Sequence, residues 1–558
     1  MVRRIINFLS REIKGLHEAA YLLAVFAFMS QILALVRDRL LASTFGASEI
    51  VDVYYASFRI PDLLFVVITA LVSAAVLVPI FSKNRDDYKD FKKTIDSLFT
   101  VFLFAAIIII TIVFIFIKPI LSVFVPDILN GQYSNDLILF TRILLLSPLL
   151  LGVSQLFGGI VQAYRRFFIY AISPVLYNIG IIIGIAYLYP KFGSIGLVLG
   201  VVLGLVLHVL IQLPMILKKG LFPQITGKID WKIVKNVLSL SIPRTITLAS
   251  SQITLIVLIS IASTITAGSI AIFNFAYNLQ SVPLAIIGVS YSLAAFPTLS
   301  KLFAENKKEE FLSNLITATR HIIFWSFPVI VMFIVLRAQI VRVILGSGSF
   351  DWADTRLTAA ALALFSISVI AQSLMLMVVR GYYSSGQTRK PLLINIFSVA
   401  VTIFLAYCLT NFYSNNVDFR LLFESVLRVE NIAGTSVLML PLAFSIGMIF
   451  NALLLWFFFE RSFKGFTCKV WKTAVQSFIA SVSAGALAYV LLGFFDDVFD
   501  INTLFGIFFQ GFISGIAGII LAVVILILLK NYEIKEVWRT LHHKFWKARA
   551  IAGGQDEL

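Results

Sequence analysis

The chain has 558 residues, 59% of them hydrophobic and 13% charged, with a mean hydropathy of +0.96. Soluble domains hold about 45–50% apolar residues, so this composition reads as an integral membrane protein along its whole length. Two cysteines exclude a disulfide scaffold or a zinc ribbon. The net charge of +16 invites a nucleic-acid reading, but Lys and Arg gather in alternate short loops, which is how a chain is oriented in a bilayer.

In chain order, residues 1–16 (MVRRIINFLSREIKGL) form a basic, amphipathic stretch suited to the inner membrane surface. No small-residue cleavage site follows the first apolar run, so that run is expected to be retained as a span. Windows of about 20 apolar residues predict spans over 17–43, 51–81, 94–117, 136–164, 169–189 and 194–217. A second set falls at 236–262, 268–299, 314–336, 357–380, 391–411 and 435–460, and a last pair at 473–494 and 504–529. The predicted fold class is an all-α integral membrane protein of about fourteen transmembrane helices. It divides into a surface helix (1–16), an N-lobe (17–217), a linker (218–235), a C-lobe (236–460), a trailing pair (461–529) and a basic tail (530–558).

With the N-terminus inside, the inner segments hold 33 of the 45 Lys and Arg and the outer loops hold 7. That bias places both termini in the cytoplasm, with Cys408 and Cys468 on opposite sides of the membrane. The remaining five, Arg37, Arg39, Arg59, Arg142 and Arg244, lie within spans or at their edges.

The chain repeats itself. Gly46 and Pro61 recur as Gly268 and Pro283 at one offset of 222, and Pro79–Lys83 recurs as Pro297–Lys301 at 218. The difference is close to one helical turn, so the helix face is roughly kept. Both copies start outside and end inside, so the repeat is parallel and relates the first six spans to the next six; such halves are common in transporters.

No Walker loop, metal spacing or nucleophile–base constellation is present, so neither an enzyme nor an ATP-driven pump is expected. The intramembrane charges are more telling. A charge at a helix centre costs about 2.5–3.5 kcal/mol on insertion scales, so such residues usually face protein or trapped water. Arg37 offers a guanidinium fork suited to phosphate or carboxylate, and Asp38 and Asp52 are placed to hold it or to bind a cation. Arg59 precedes Pro61, which removes a backbone donor and kinks the helix. Arg39 can instead snorkel and pair with Asp38; Arg142 and Arg244 read as anchors. Asn274, Asn278 and Gln280 line the second-half counterpart, where interhelical hydrogen bonding is the competing role, as it is for Asn178, Gln252 and Asn395. Gly46, Pro61, Gly268 and Pro283 are candidate flexure points.

The stretch RDRLLASTFGASEIVDVYYASFRIPDLL at 37–64 resembles the first-half signature of the MurJ (MviN) family of lipid II flippases. LGSGSFDWADTRLTAAAL at 345–362, RGYYSSGQTRKPLLIN at 380–395, PVLYNIGIIIGIAYLYPKFGSIGL at 174–197 and SIPRTITLASSQI at 241–253 resemble other parts of it. The resemblance covers about residues 20–530 and implies the multidrug/oligosaccharidyl-lipid/polysaccharide exporter fold. It implies transport of an undecaprenyl-pyrophosphate-linked peptidoglycan precursor from the inner to the outer leaflet of the bacterial inner membrane by alternating access. A monomer without cofactor is expected, and with no nucleotide site in the sequence an ion gradient or the membrane potential is the expected driver. The family's cavity arginine and following aspartate map to Arg37 and Asp38, its next-span aspartate to Asp52, and a basic residue before its Leu/Ile-Pro to Arg59. Many members carry arginine where this chain has Gln31, Phe65 and Asn278, so a cavity lined by Gln31, Arg37, Asp38, Asp52, Arg59 and Asn278 is depleted in charge. The last two spans, rich in Phe, Ala, Gly and Leu, are expected to offer a groove to the polyprenyl tail. A flippase for another polyprenyl-linked oligosaccharide and an ion-coupled multidrug exporter of the same fold remain as alternatives, with a non-transporting membrane scaffold behind them.

Overall fold

The computed structural model describes residues 16–72, 77, 81, 88–500 and 503–539. The expected surface helix apart from Leu16, the Pro79–Lys83 motif apart from Phe81, and the tail beyond 539 lie outside the described residues. Helices dominate, and no strand occurs among the described residues. In the first half they are α1 (Leu16–Phe45), α2 (Glu49–Leu71), α3 (Tyr88–Ile115), α4 (Ser134–Ala163), α5 (Phe167–Phe192) and α6 (Ile195–Lys218). The second half holds α7 (Trp231–Ser263), α8 (Ser269–Ala304), α9 (Lys308–Val335), α10 (Trp352–Ser384), α11 (Arg389–Asn415) and α12 (Thr435–Ser462). The trailing pair is α13 (Phe466–Phe495) and α14 (Leu504–Leu528). Thirteen of these helices contain a stretch long and apolar enough to cross a membrane. The fourteenth, α1, carries no Lys, Arg, Asp or Glu over residues 19–36.

The packing repeats as the sequence does. In the first lobe α1 lies on α5, α5 on α6, and α4 on both α2 and α6. Six helices later the same pattern returns: α7 on α11, α11 on α12, and α10 on both α8 and α12. The pair α13–α14 stands outside this pattern, with α13 packed along α9.

Lipid tails are as apolar as leucine, so helices in a bilayer associate by close packing of small residues. The α5–α6 seam shows this: a Cβ added at Gly184 would stand 2.5 Å from the Gly200 Cα. The α13–α14 pair uses the same device. Ala480, Ala484 and Ala488 of α13 and Gly511, Gly515 and Gly518 of α14 are all buried. A Cβ at Gly518 would come within 2.8 Å of the Ala484 carbonyl. The Ala and Gly faces expected to help form a tail groove are therefore consumed by helix packing. What these helices present outward is Phe505, Phe509, Phe512 and Ile516.

Two further features depart from the expected divisions. Helix α7 has 33 residues, about 50 Å at 1.5 Å per residue against a hydrocarbon core of about 30 Å. Its surplus first turns belong to the first lobe, where Val234 and Val237 join the cluster of Ile95, Leu98 and Phe102. Asp230 caps that end of α7 by accepting from the Lys232 and Ile233 amides and pairs with Lys93 at 2.9 Å. The bond from the Lys93 ammonium is the main reason the Asp230 carboxyl lies below its ordinary range. Farther along, the Thr247 carbonyl accepts from Asn395 of α11 at 3.3 Å, so α7 straddles the two lobes. The start of the expected tail is also docked: buried Glu533 pairs with Arg320 of α9 at 2.5 Å and accepts from Thr473 of α13 at 3.0 Å.

Gly184→Val is expected to destabilise the protein by about 1–3 kcal/mol, the range for overpacking a filled interior, seen as a lower unfolding midpoint in detergent. Gly493→Ala, with nothing within 4 Å of the added Cβ, is the control and should leave that midpoint level or raise it.

Candidate functional site

The two lobes meet along α1–α2 on one side and α8–α10 on the other. The end of the molecule that carries Gly46 and Gly268 is shut by backbone-to-side-chain contacts. Asp52 of α2, 3% exposed, accepts from the backbone N–H groups of Gly268 at 2.6 Å and Ala271 at 2.7 Å. Those amides open α8, whose first turn has donors free and the positive end of the helix dipole. Asp354 of α10 returns the contact, accepting from the Ala47 N–H at 3.0 Å just before α2 begins. Arg39 of α1 donates to the Val343 carbonyl at 2.5 Å and the Ile344 carbonyl at 3.2 Å. These carbonyls end the short helix Arg337–Ile344, where a cation suits the dipole. Ser349 adds a backbone bond to the Ser43 carbonyl at 2.9 Å.

The glycines at this seam are contact points. Gly46 adopts φ +64°, and a Cβ on it would come within 2.6 Å of the Ser349 carbonyl oxygen. Gly268 at φ +88° faces the Ala47 carbonyl. Both conformations suit a residue without Cβ, and both let the lobes touch through backbone. Gly46 and Gly268, expected as flexure points, have this packing role in the shut arrangement. Pro61 and Pro283 do mark helix irregularities: α2 is interrupted at Phe58, and α8 changes to a π-helical turn at Leu284–Val289. Missing N–H groups account for such breaks.

Below the seam lies the charged layer. The Arg37 guanidinium donates to Asp38 through Nε at 2.9 Å and pairs with the same carboxylate through a second nitrogen at 2.8 Å. It also reaches Oδ1 of Asn178 on α5 at 3.5 Å. Its side chain is 18% exposed and faces protein. Asp38, 2% exposed, further accepts from the Tyr55 hydroxyl at 3.5 Å and from Asn278 of α8 at 2.9 Å. One helical turn nearer the seam, the Arg59 guanidinium donates to Oδ1 of Asn274. The Asn274 side chain is fixed by its own donation to the Ile270 carbonyl at 2.8 Å. Arg59 Nε is buried without a partner, and Asp62, on the next turn of α2, interacts with the same guanidinium electrostatically.

Four of the six expected ligand residues thus converge: Arg37 and Asp38 on α1, Arg59 on α2, and Asn278 on α8. Gln31 is half-buried, seven residues before Asp38 and so on the same face of α1. Asp52 does not belong with them. Both its oxygens are committed to capping α8, so its task is to close the seam. Asp38 is likewise a holder of Arg37, since its oxygens are taken by protein donors. Arg39 neither snorkels nor pairs with Asp38. Arg142 lies away from the site, over the Phe114 ring at 4.9 Å. Sequence reasoning missed Asp354; its place three residues after Asp351 at a helix start was the available sign. Among the described residues no group of three or more His, Cys, Asp and Glu could hold a metal ion.

Asp52→Ala leaves two amides of α8 without their acceptor, a loss of about 1–3 kcal/mol for a charged, buried hydrogen-bonded group. It should open the seam, so that a cysteine placed at Ser269, now 1% exposed, reacts with maleimide about 5- to 150-fold faster, 1.4 kcal/mol being one decade.

This architecture has relatives. A family model described as lipid II flippase MurJ matches residues 41–510. The lipid II flippase MurJ of Burkholderia cenocepacia is 26% identical over 397 residues, covering 70% of this chain and 77% of that protein. A probable lipid II flippase MurJ of Thermotoga maritima is 25% identical over 382 residues, covering 68% and 76%. Among solved structures, a lipid II flippase MurJ in an inward closed conformation superposes with a TM-score of 0.71 at 22% identity, over 92% of this chain and all of that one. An inward-facing multidrug resistance MATE family transporter of the MOP superfamily superposes at 0.62 and 15% identity, over 79% and 96%. The two superpositions establish a shared fold. The family match, running through both lobes and into α14, establishes the lineage: this chain belongs to the lipid II flippase MurJ family.

Proposed function

We propose that the chain carries lipid II, the undecaprenyl-pyrophosphate-linked peptidoglycan precursor, from the inner to the outer leaflet of a bacterial inner membrane by alternating access. The observation that carries this reading is Arg37, held on Asp38 between two lobes. A guanidinium oriented by a carboxylate keeps donors in a planar fork, the geometry that matches phosphate oxygens. Arg59 adds a second guanidinium on the neighbouring helix, again in the first lobe. Together they suit a pyrophosphate and repel a cationic drug, which separates this reading from a multidrug exporter of the same fold.

The excess of Lys and Arg at the end opposite Gly46 supports a cytoplasmic location for that end and for both termini. The seam of Asp52, Asp354 and Arg39 then closes the outer face, and cargo reaches the arginines from the inside. Rocking the lobes about the breaks near Pro61 and Pro283 opens the outer face in turn. The head group moves between the lobes while its polyprenyl tail stays in lipid, and an ion gradient or the membrane potential drives the cycle.

Arg37→Ala is expected to abolish delivery of lipid II to the outer leaflet of proteoliposomes while the protein remains folded and monodisperse. Arg37→Lys should also reduce the rate, by about tenfold or more, because an ammonium cannot reproduce the fork. Transport by Arg37→Ala at the wild-type rate would end this assignment.

A further inference from the structure

The charged layer joins the lobes by two side-chain bridges one helical turn apart on α8. Asn278 reaches Asp38, and Asn274 reaches Arg59. In both, the charged group stands on the first lobe and the neutral amide on the second. The repeat offset of 222 that relates Gly46 to Gly268 also relates Asp52 to Asn274. Each of these matched positions reaches across to the other lobe, Asp52 to the amides opening α8 and Asn274 to Arg59. Asn274 is 3% exposed, and its NH2 is tied to the Ile270 carbonyl, so its Oδ1 has a fixed aim.

We propose that Asn274 is a positioning residue that couples occupancy of the anion site to opening of the Gly46 end: it holds Arg59 while the seam is shut, and an incoming pyrophosphate takes Arg59 away from it. The inference rests on the transport reading given above and adds how the cargo is sensed. The chemistry favours the exchange. A hydrogen bond from a guanidinium to an anionic phosphate oxygen is roughly twice as strong as one to a neutral acceptor. Arg59 Nε, buried and unpartnered, is a donor ready for that oxygen. Because the Asn274 bond spans the lobes, losing it removes a contact that exists only in the shut state. A ligand that removes such a contact shifts the equilibrium toward the open state by its differential affinity, and the coupling is reciprocal. Substitutions at Asn274 should therefore move gate position and anion affinity together: Asn274→Ala frees Arg59 and loosens the seam, whereas Asn274→Asp gives Arg59 an ion-pair partner, holds the seam shut and competes with phosphate.

The test uses the full chain in detergent with Cys408 and Cys468, both exposed, replaced by serine. Spin labels go at Gln132 and Leu422, exposed positions on the two lobes at the Gly46 end, and undecaprenyl pyrophosphate is the probe. In wild type the probe should lengthen the label separation. Ligand-free Asn274→Ala should already populate the longer separation and bind the probe about tenfold tighter, within the usual range of coupling between sites. Asn274→Asp should stay at the short separation and bind about tenfold weaker. A merely structural role would lower affinity in both variants, and that result overturns the proposal. So does a ligand-free Asn274→Ala with the wild-type separation, whatever the probe does. A wild type that fails to bind the probe counts instead against the transport reading, because the ligand-free comparison still reports on the bridge.

Discussion

A charge inside a bilayer must have a partner, and in this protein four of the charged groups at the lobe boundary have a hydrogen-bond partner on the opposite lobe. Asp52 leans on the amides of α8, Asp38 on Asn278, Arg39 on the end of the helix Arg337–Ile344, and Arg59 on Asn274. Separating the lobes breaks all four of these bonds at once, while Asp38 keeps Arg37 and the Tyr55 hydroxyl. When the lobes part, these bonds must be replaced by water or by cargo. An apolar interface would let the lobes slide by degrees, whereas hydrogen-bonded charges lose their stabilisation within an ångström or so.

The two layers of the interface use different chemistry. At the Gly46 end the bonds run from side chains to backbone at helix termini, with carboxylates at N-terminal amides and a guanidinium at C-terminal carbonyls. Each charge has the sign that the helix dipole favours. Backbone termini cannot change rotamer, so this layer fits only one relative placement of the lobes. The layer below uses side chains on both partners, Asp38 with Asn278 and Arg59 with Asn274. Side chains can exchange one partner for another without moving the helices, as a ligand site requires.

The spans and the parallel repeat were legible in the sequence, because apolar runs of membrane length and a shared offset leave few other readings; the grouping of Arg37, Asp38, Arg59 and Asn278 came from intramembrane charge and the family resemblance. Intramembrane charge marked the right layer but not the job of each member. Asp52 looked like a ligand because its type and depth match Asp38; only the fold shows the opening amides of α8 against it. Gly46 and Gly268 looked like hinges because glycine permits motion, yet here it permits contact. Arg39 and Asp354 pair with groups about 300 residues away in sequence, and no local pattern encodes such a partner. The surplus length of α7 was visible as a count of residues, but its crossing between lobes follows from Val234 and Val237 packing on α3.

The asymmetry between the lobes has a mechanical consequence. Both guanidinium groups belong to α1 and α2, while α8 contributes neutral amides. When the lobes part, an anion bound to Arg37 and Arg59 keeps both ligands, since neither has to cross the opening gap. Only the second-lobe partners are exchanged. In the proposed cycle the pyrophosphate would then keep its cations during the transition, and the step would avoid the several kcal/mol that an unpaired ion costs in a poorly hydrated passage. The first lobe then acts as the carrier of charge and the second as its gate. On that reading the cationic ligands are the two first-lobe guanidinium groups, and Gln31, Phe65 and Asn278 add no charge to them.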